Sequence, residues 1–282
     1  MGSRRMLKAV LWDMDGTLID SEPYWHQVEM GIAREHGGYW SEDIGWTCSG
    51  KPVPQVAQKM VDHGTKLPVS EIQRLMIEGV ARKEAEHMPW IEGVEEVLRS
   101  LVAAGIPSVL VTASPRRMAE NLVRQAPEGA FVGYVCGEDD LPKKPNPAPY
   151  LAAAEVVGIE LPHDIAVANG MSEPENGHSG RQRQSGGNND KGSGKASAGN
   201  AEVAFKDADF YHEMARCVAL EDSMTGIESA AASGATTIAQ TGFIGTDTSA
   251  GPQFASISSY DNLTAEVLEH YVEQRLASLT NS

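Results

Sequence analysis

The chain has 282 residues, enough for one large domain or two modest ones, and its 41% apolar and 22% charged residues are the balance of a globular protein. Lys and Arg total 23 against 39 Asp and Glu, a formal charge of −16; such a field excludes nucleic acid and anionic membrane as expected partners, but not a phosphorylated substrate held by a local cationic group. Cys48, Cys136 and Cys217 have neither disulfide nor zinc spacing, no apolar run approaches the ~20 residues of a membrane span, and a cytoplasmic location is expected.

In chain order, Leu7–Trp12 reads as a buried strand. Arg4 and Arg5 precede it, but the run is too short for a secretory signal. It leads straight into Asp13-Met-Asp15-Gly16-Thr17, where Gly16 marks a turn. Pro23 suits the first turn of a helix reaching Glu35, and further helices are expected near 53–61 and 70–86. Strand and helix alternate after Pro89. Val94, Val97, Leu98, Leu101 and Val102 share one helix face, and Gly105 ends that helix. A strand over 108–112, a helix from Ser114-Pro115 to Gln125, a strand over 131–135 and a helix over 147–157 follow. Strands at 217–221 and 236–240 bracket a helix at 224–233, and a helix over 264–279 closes the series. This order predicts an α/β fold: a doubly wound parallel sheet, Rossmann-like, from residues 1–20 and 89–282, with a small all-helical domain at 21–88.

One stretch breaks the rhythm. Residues 170–200 hold eight glycines and no Leu, Ile, Val, Phe, Trp or Tyr. Too little apolar surface is available there to offset chain entropy, so a disordered insert is expected. An insert between a helix and the next strand is expected to emerge at the amino end of that strand, opposite the ligand-binding end.

The chemistry-bearing residues cluster at predicted strand ends. Asp13 and Asp15 follow the first strand, where open parallel sheets bind ligands. Two readings are open from these residues alone: a nucleophile or metal-binding pair, and an ordinary Asp-Gly turn. The stretch Asp13-x-Asp15-Gly-Thr-Leu-Ile-Asp20-Ser-Glu22 resembles the first motif of the haloacid dehalogenase-like hydrolases. Val109-Leu-Val-Thr112-Ala-Ser114 resembles their second motif, Lys144-Pro-Asn-Pro-Ala-Pro-Tyr150 the third, and Glu221-Asp222-Ser223-Met-Thr-Gly226 the fourth. Four motifs in order, from Leu7 to about Gly242, make the match specific. The block 21–88 is similar to the helical cap of the phosphatase and β-phosphoglucomutase-like subfamily.

The resemblance implies a set of roles. Asp13 is the nucleophile and Asp15 the general acid and base. Asp13, the Asp15 carbonyl and Asp222 are the ligands of a magnesium ion, with Glu221 either touching the ion or supporting its ligands. Thr112, Ala113 and Lys144 hold phosphate. Lys51, Tyr24 and Trp25 are candidates for substrate specificity. Each site residue also has a plainer reading: Lys144 as a solvated lysine, Thr112 as a strand-end threonine, Asp222 or Ser223 as a helix cap, Ser114 as a cap or a phosphate donor. The expected activity is magnesium-dependent hydrolysis of a small phosphorylated metabolite, a sugar or polyol phosphate, through an aspartyl-phosphate. A phosphomutase is the alternative, and a non-catalytic binding protein on the same scaffold is less favoured because all four motifs are intact. A dehalogenase is disfavoured because only leaving-group protonation requires Asp15. The sequence is silent on oligomeric state.

Overall fold

The computed structural model describes residues 5–171, 208–243 and 247–280. The Gly-rich stretch 170–200 therefore lies outside the described residues, apart from Gly170 and Met171. Six strands form one sheet: β1 (Ala9–Trp12), β2 (Ser108–Val111), β3 (Phe131–Val135), β4 (Cys217–Glu221), β5 (Thr236–Gln240) and β6 (Ala255–Ile257). Their spatial order is β3-β2-β1-β4-β5-β6, and every neighbouring pair is parallel. Such a sheet must be covered on both faces, which is why β1, β2, β4 and β5 are buried along their whole length.

Alternate side chains of one strand feed two cores. Val10 and Trp12 of β1 join the cluster under α5 (Val94–Ala104), α6 (Arg116–Gln125) and α11 (Ala265–Thr280). Ala9 and Leu11 join the opposite cluster under α7 (Ala148–Val156), α8 (His163–Ala168), α9 (208–215) and α10 (Met224–Ala232). The period of two in a strand produces this division, and it is what doubly wound means here.

The cap contains α1 (Glu22–Glu35), α2 (Glu42–Trp46), α3 (Val53–Asp62) and α4 (Val69–Glu86). It has its own core, with Ile32, Val56, Met60, Ile72 and Met76 buried together. Further along α4, Val80 and Ala81 belong instead to the sheet's cluster, so α4 joins cap to core. Two short bridges tie the crossings: Ile19 pairs with Asp15 on one side and with Trp90 on the other.

The elements absent from the sequence reading are α2, α8, α9 and β6. All are brief, and α8 and α9 flank the Gly-rich stretch. Ile165, Phe210 and Met214 bury into the second core, so these flanks are part of the body. The expected emergence of the insert opposite the ligand-binding end falls on residues outside those described. The last described part before it, at Gly170, approaches Pro142, where a methyl group on Gly170 would lie 3.2 Å away.

Candidate active site

Chain order reverses between β1 and β4, and doubly wound sheets bind ligands at the carboxyl ends of such a pair. Asp13 follows β1 directly, and its amide donates to Leu220 O at 3.0 Å, which sets the two strand ends level. Glu221 ends β4 and Asp222 follows it. Oxygens of Asp13, Glu221 and Asp222 lie within 4.8 Å of one another, and all three residues are buried. Lys144, on the loop between β3 and α7, reaches into this group. Its Nζ donates to Asp13 Oδ1 at 2.6 Å, Glu221 Oε1 at 2.5 Å and Val111 O at 2.9 Å.

The electrostatics follow from that crowding. Burial, then the Glu221 carboxylate, push Asp13 well above the ordinary carboxylate range. The same two causes push Asp222 up to about 7. Burial works against the charge on Lys144, but Asp13 and Glu221 outweigh it and raise its pKa. One ammonium faces three carboxylates in a dry setting, and every surplus donor is a hard oxygen. That donor set fits magnesium or a similar divalent cation. Lys144 holds one oxygen of Asp13 and Thr17 Oγ1 holds one of Asp222 at 3.1 Å, so each carboxylate keeps a second oxygen for a cation.

Glu221 is engaged differently. Lys144 and the Tyr150 hydroxyl, at 2.7 Å, both donate to Oε1, and Ser223 donates to Oε2 at 3.2 Å. Its carboxylate is thus occupied in holding Lys144. A Cβ at position 226 would fall 2.0 Å from that carboxyl group, so any other residue there would force the carboxyl to move. Ser223 is the N-cap of α10, its Oγ accepting from Gly226 N at 3.1 Å, and the strand-to-helix turn is shaped by the same hydroxyl that touches Glu221.

Asp15 sits on the turn made by Gly16, whose φ of 87° favours glycine. Ser21 Oγ donates to Asp15 Oδ1 at 2.5 Å and Ser114 Oγ to Oδ2 at 2.7 Å. One serine starts the cap and the other precedes α6, so cap and core both orient this carboxyl. Ser114 does not cap α6; Pro115 occupies that position. Thr112 is buried at the end of β2, where its Oγ1 accepts from Ser114 N at 2.9 Å, and Ala113 is exposed beside it.

The cap candidates are placed less centrally. Lys51 is exposed on the turn between α2 and α3. The Tyr24 hydroxyl donates to His87 O at 3.1 Å, and Lys83 lies 5.5 Å from its ring. Trp25 is partly buried between the cap core and the sheet's cluster. Among the described residues, none of these side chains hydrogen-bonds to Asp13, Asp15, Lys144 or Asp222. A cavity of about 570 Å³ beside Glu228, Phe254 and Arg275 shares no residue with the carboxylate cluster, so size does not mark the site.

Sequence reasoning missed Thr17, Ser21, Tyr150 and Gly226 as supports, and the bond from Ser114 to Asp15. All of them lie within the quoted motif stretches, but nothing in those stretches says which partner each would meet.

The geometry agrees with the comparisons. A model of the haloacid dehalogenase-like hydrolases matches residues 7–168, more than half of the chain. The chain belongs to that family. The validoxylamine A 7'-phosphate phosphatase of Streptomyces hygroscopicus subsp. limoneus is 27% identical over 159 residues, covering 55% of this chain and 73% of that protein. The phosphorylated carbohydrates phosphatase of Thermotoga maritima is 28% identical over 163 residues, covering 57% and 75%. The crystal structure of β-phosphoglucomutase from Clostridium difficile superimposes with a TM-score of 0.58 at 12% identity, over 98% of this chain and all of that one. The matched relatives of known name are thus phosphatases, and the fold is shared with a β-phosphoglucomutase.

Proposed function

We propose that this hydrolase is a magnesium-dependent phosphomonoesterase that acts on a small phosphorylated metabolite, a sugar or polyol phosphate, through an aspartyl-phosphate on Asp13. The observation that carries this reading is the convergence of Asp13, Lys144, Glu221 and Asp222 at the carboxyl ends of β1 and β4. A phosphate monoester is anionic, so a carboxylate nucleophile needs cationic charge beside it. Lys144 supplies one such charge, on the nucleophile itself. Asp13, Asp222 and the Asp15 carbonyl would hold magnesium, which when bound neutralises phosphoryl oxygens and aligns the ester.

The remaining steps use this chain's own groups. A carboxylate oxygen of Asp13 bonds to phosphorus as the ester P–O bond breaks, and Asp15 gives its proton to the leaving alcohol oxygen. Water then attacks phosphorus, Asp15 takes the water's proton, and the Asp13–phosphorus bond breaks to release phosphate. Ser21 and Ser114 suit Asp15 to both tasks because they fix its carboxyl between cap and core. The matched relatives named phosphatases support hydrolysis. The fold is shared with a β-phosphoglucomutase, so transfer to a second hydroxyl is the competing reading.

The test is a panel of phosphate esters assayed for released phosphate with magnesium and with a chelator. Magnesium-dependent release without isomerised product is expected. Turnover undiminished by exhaustive chelation would overturn the metal, and net conversion of one hexose phosphate into another would establish a mutase instead.

A further inference from the structure

The turn that follows Asp13 is fastened unevenly. Leu18 N and Ile19 N donate to Met14 O at 2.8 and 3.1 Å, and Gly16 N donates to Ile19 O at 2.8 Å. Thr17 N reaches Met14 O only at 3.3 Å, beyond the usual range for such a bond. Yet Thr17 is the residue whose Oγ1 donates to Asp222 Oδ1, so its placement sets where that carboxylate points. Its carbonyl, buried with the rest of the residue, accepts a 2.7 Å bond from the Tyr260 hydroxyl. Among the described residues no other hydrogen bond reaches that carbonyl.

Tyr260 comes from the far end of the chain. It stands between β6 and α11, outside residues 7–168 that match the family model. The loop there turns it inward. Leu263 N donates back to Tyr260 O at 3.0 Å, and Asn262 between them has a φ of 60°. Among the described residues Asn262 is the only non-glycine in the left-handed region, which asparagine enters more readily than most side chains. Tyr260 is buried, its ring tilted against Trp12 at 6.2 Å, and a methyl group on Gly93 would meet its Cβ at 2.9 Å. Held from both sides, the hydroxyl is fixed on Thr17 O. That bond satisfies an acceptor that water does not reach, and it removes freedom from a turn otherwise tied loosely at Thr17. Asp222 gives Oδ1 to Thr17 and keeps its second oxygen for a cation. A small rotation of Thr17 would carry that oxygen away from those of Asp13 and Glu221, now within 4.8 Å.

We propose that Tyr260 is a positioning residue for the metal site: through Thr17 it holds Asp222 in the orientation that a divalent cation needs. This rests on the magnesium site of the reading above. It differs from a purely structural role in one respect: what Tyr260 fixes is affinity for the ion, so its effect fades when the ion is in excess.

Magnesium is titrated by calorimetry into wild type, Tyr260→Phe, Thr17→Val and the double variant. Thr17→Val is expected to raise Kd about tenfold, and Tyr260→Phe, acting one bond further out, about fivefold. In the double variant Tyr260→Phe is expected to add little, because the path through the Thr17 hydroxyl is already cut. Phosphate release by Tyr260→Phe is expected to need correspondingly more magnesium and to approach the wild-type kcat once the ion saturates. By reciprocity, magnesium added to wild type is expected to slow amide exchange at 258–263 but not in the cap turn at 63–67. That measurement needs no variant and stands even if Tyr260→Phe fails to fold. A wild-type Kd in Tyr260→Phe, fully additive losses in the double variant, a kcat depressed equally at every magnesium concentration, or exchange at 258–263 indifferent to magnesium would each overturn the assignment. Wild type that binds no magnesium would instead defeat the metal reading, and this one with it.

Discussion

Asp13 and Glu221 share one lysine, and that sharing makes small substitutions here consequential. Asp13→Asn keeps the side-chain shape but removes the nucleophile and one of three repelling charges. Turnover is expected to vanish while thermal stability holds or rises, checked by phosphate release and a melting scan of the same preparation. Near-normal activity in that variant would rule out attack by Asp13. Gly226→Ala touches neither substrate nor metal, yet its methyl group would meet the Glu221 carboxyl at 2.0 Å. Glu221 is held by Lys144, Tyr150 and Ser223, so it has no free rotamer to retreat into. A loss of tenfold or more in kcat, about 1.4 kcal/mol, is expected from the displaced lysine. Wild-type kinetics would mean that Glu221 moves freely and does not position Lys144.

The cap carries its own titration. Glu29 of α1 is buried and accepts a 2.8 Å hydrogen bond from Trp40 Nε1. Burial raises its pKa to about 7, the Trp40 bond opposes this, and Glu22 adds to it. The folded cap therefore holds the proton more tightly than the unfolded chain does. Stability from this group is full below about pH 4.5 and is lost as pH rises toward 7. Glu29→Gln keeps an acceptor for Trp40 and removes the ionisation. Its Tm is expected to exceed that of wild type at pH 8, by at most about 3 kcal/mol in stability terms, and to converge at pH 4.5. Parallel Tm curves would show that Glu29 ionises without cost. At the same scale, Lys51, Tyr24 and Trp25 remain proposals for specificity. Substitutions there are expected to change the ranking of esters in the panel more than the rate with p-nitrophenyl phosphate.

For the molecule as a whole, Asp13, Asp15, Lys144 and Asp222 are held by one another and by Thr17, Ser21, Ser114, Val111 and Glu221, all on the strand ends and the loops that follow them. The flanking helices α8 and α9 are anchored separately through Ile165, Phe210 and Met214. Replacing 172–200 with a short Gly-Ser linker is expected to change catalytic efficiency by less than tenfold, about 1.4 kcal/mol, with little change in Tm, because loop-closure entropy varies only as the logarithm of length. A larger loss with the fold intact would mean that the segment serves the lysine loop. Magnesium binding to the folded site alone is expected to raise Tm with concentration in wild type, and far less in Asp222→Asn. Equal shifts in both would place the ion elsewhere.

Periodicity and turn residues were enough to read the strand–helix alternation and the helical run after β1, because each element is written locally in the chain, while the resemblance to the hydrolase motifs supplied the four motif positions. The strand ends were legible for the same reason: Asp13, Thr112 and Asp222 each follow or end a hydrophobic run, whereas Lys144 stands in a Pro-rich loop and was marked only by its motif. What needed tertiary structure was every relation between distant segments. Tyr150 is bonded to Glu221 across 71 residues, Ser114 to Asp15 across 99, and Lys144 to Asp13 across 131. No local period encodes such pairs, since they exist only once a parallel sheet places its carboxyl ends side by side. The same holds for burial: on α4 Glu84 is one acid in a polar stretch, and only packing of α4 against its neighbours removes water from it.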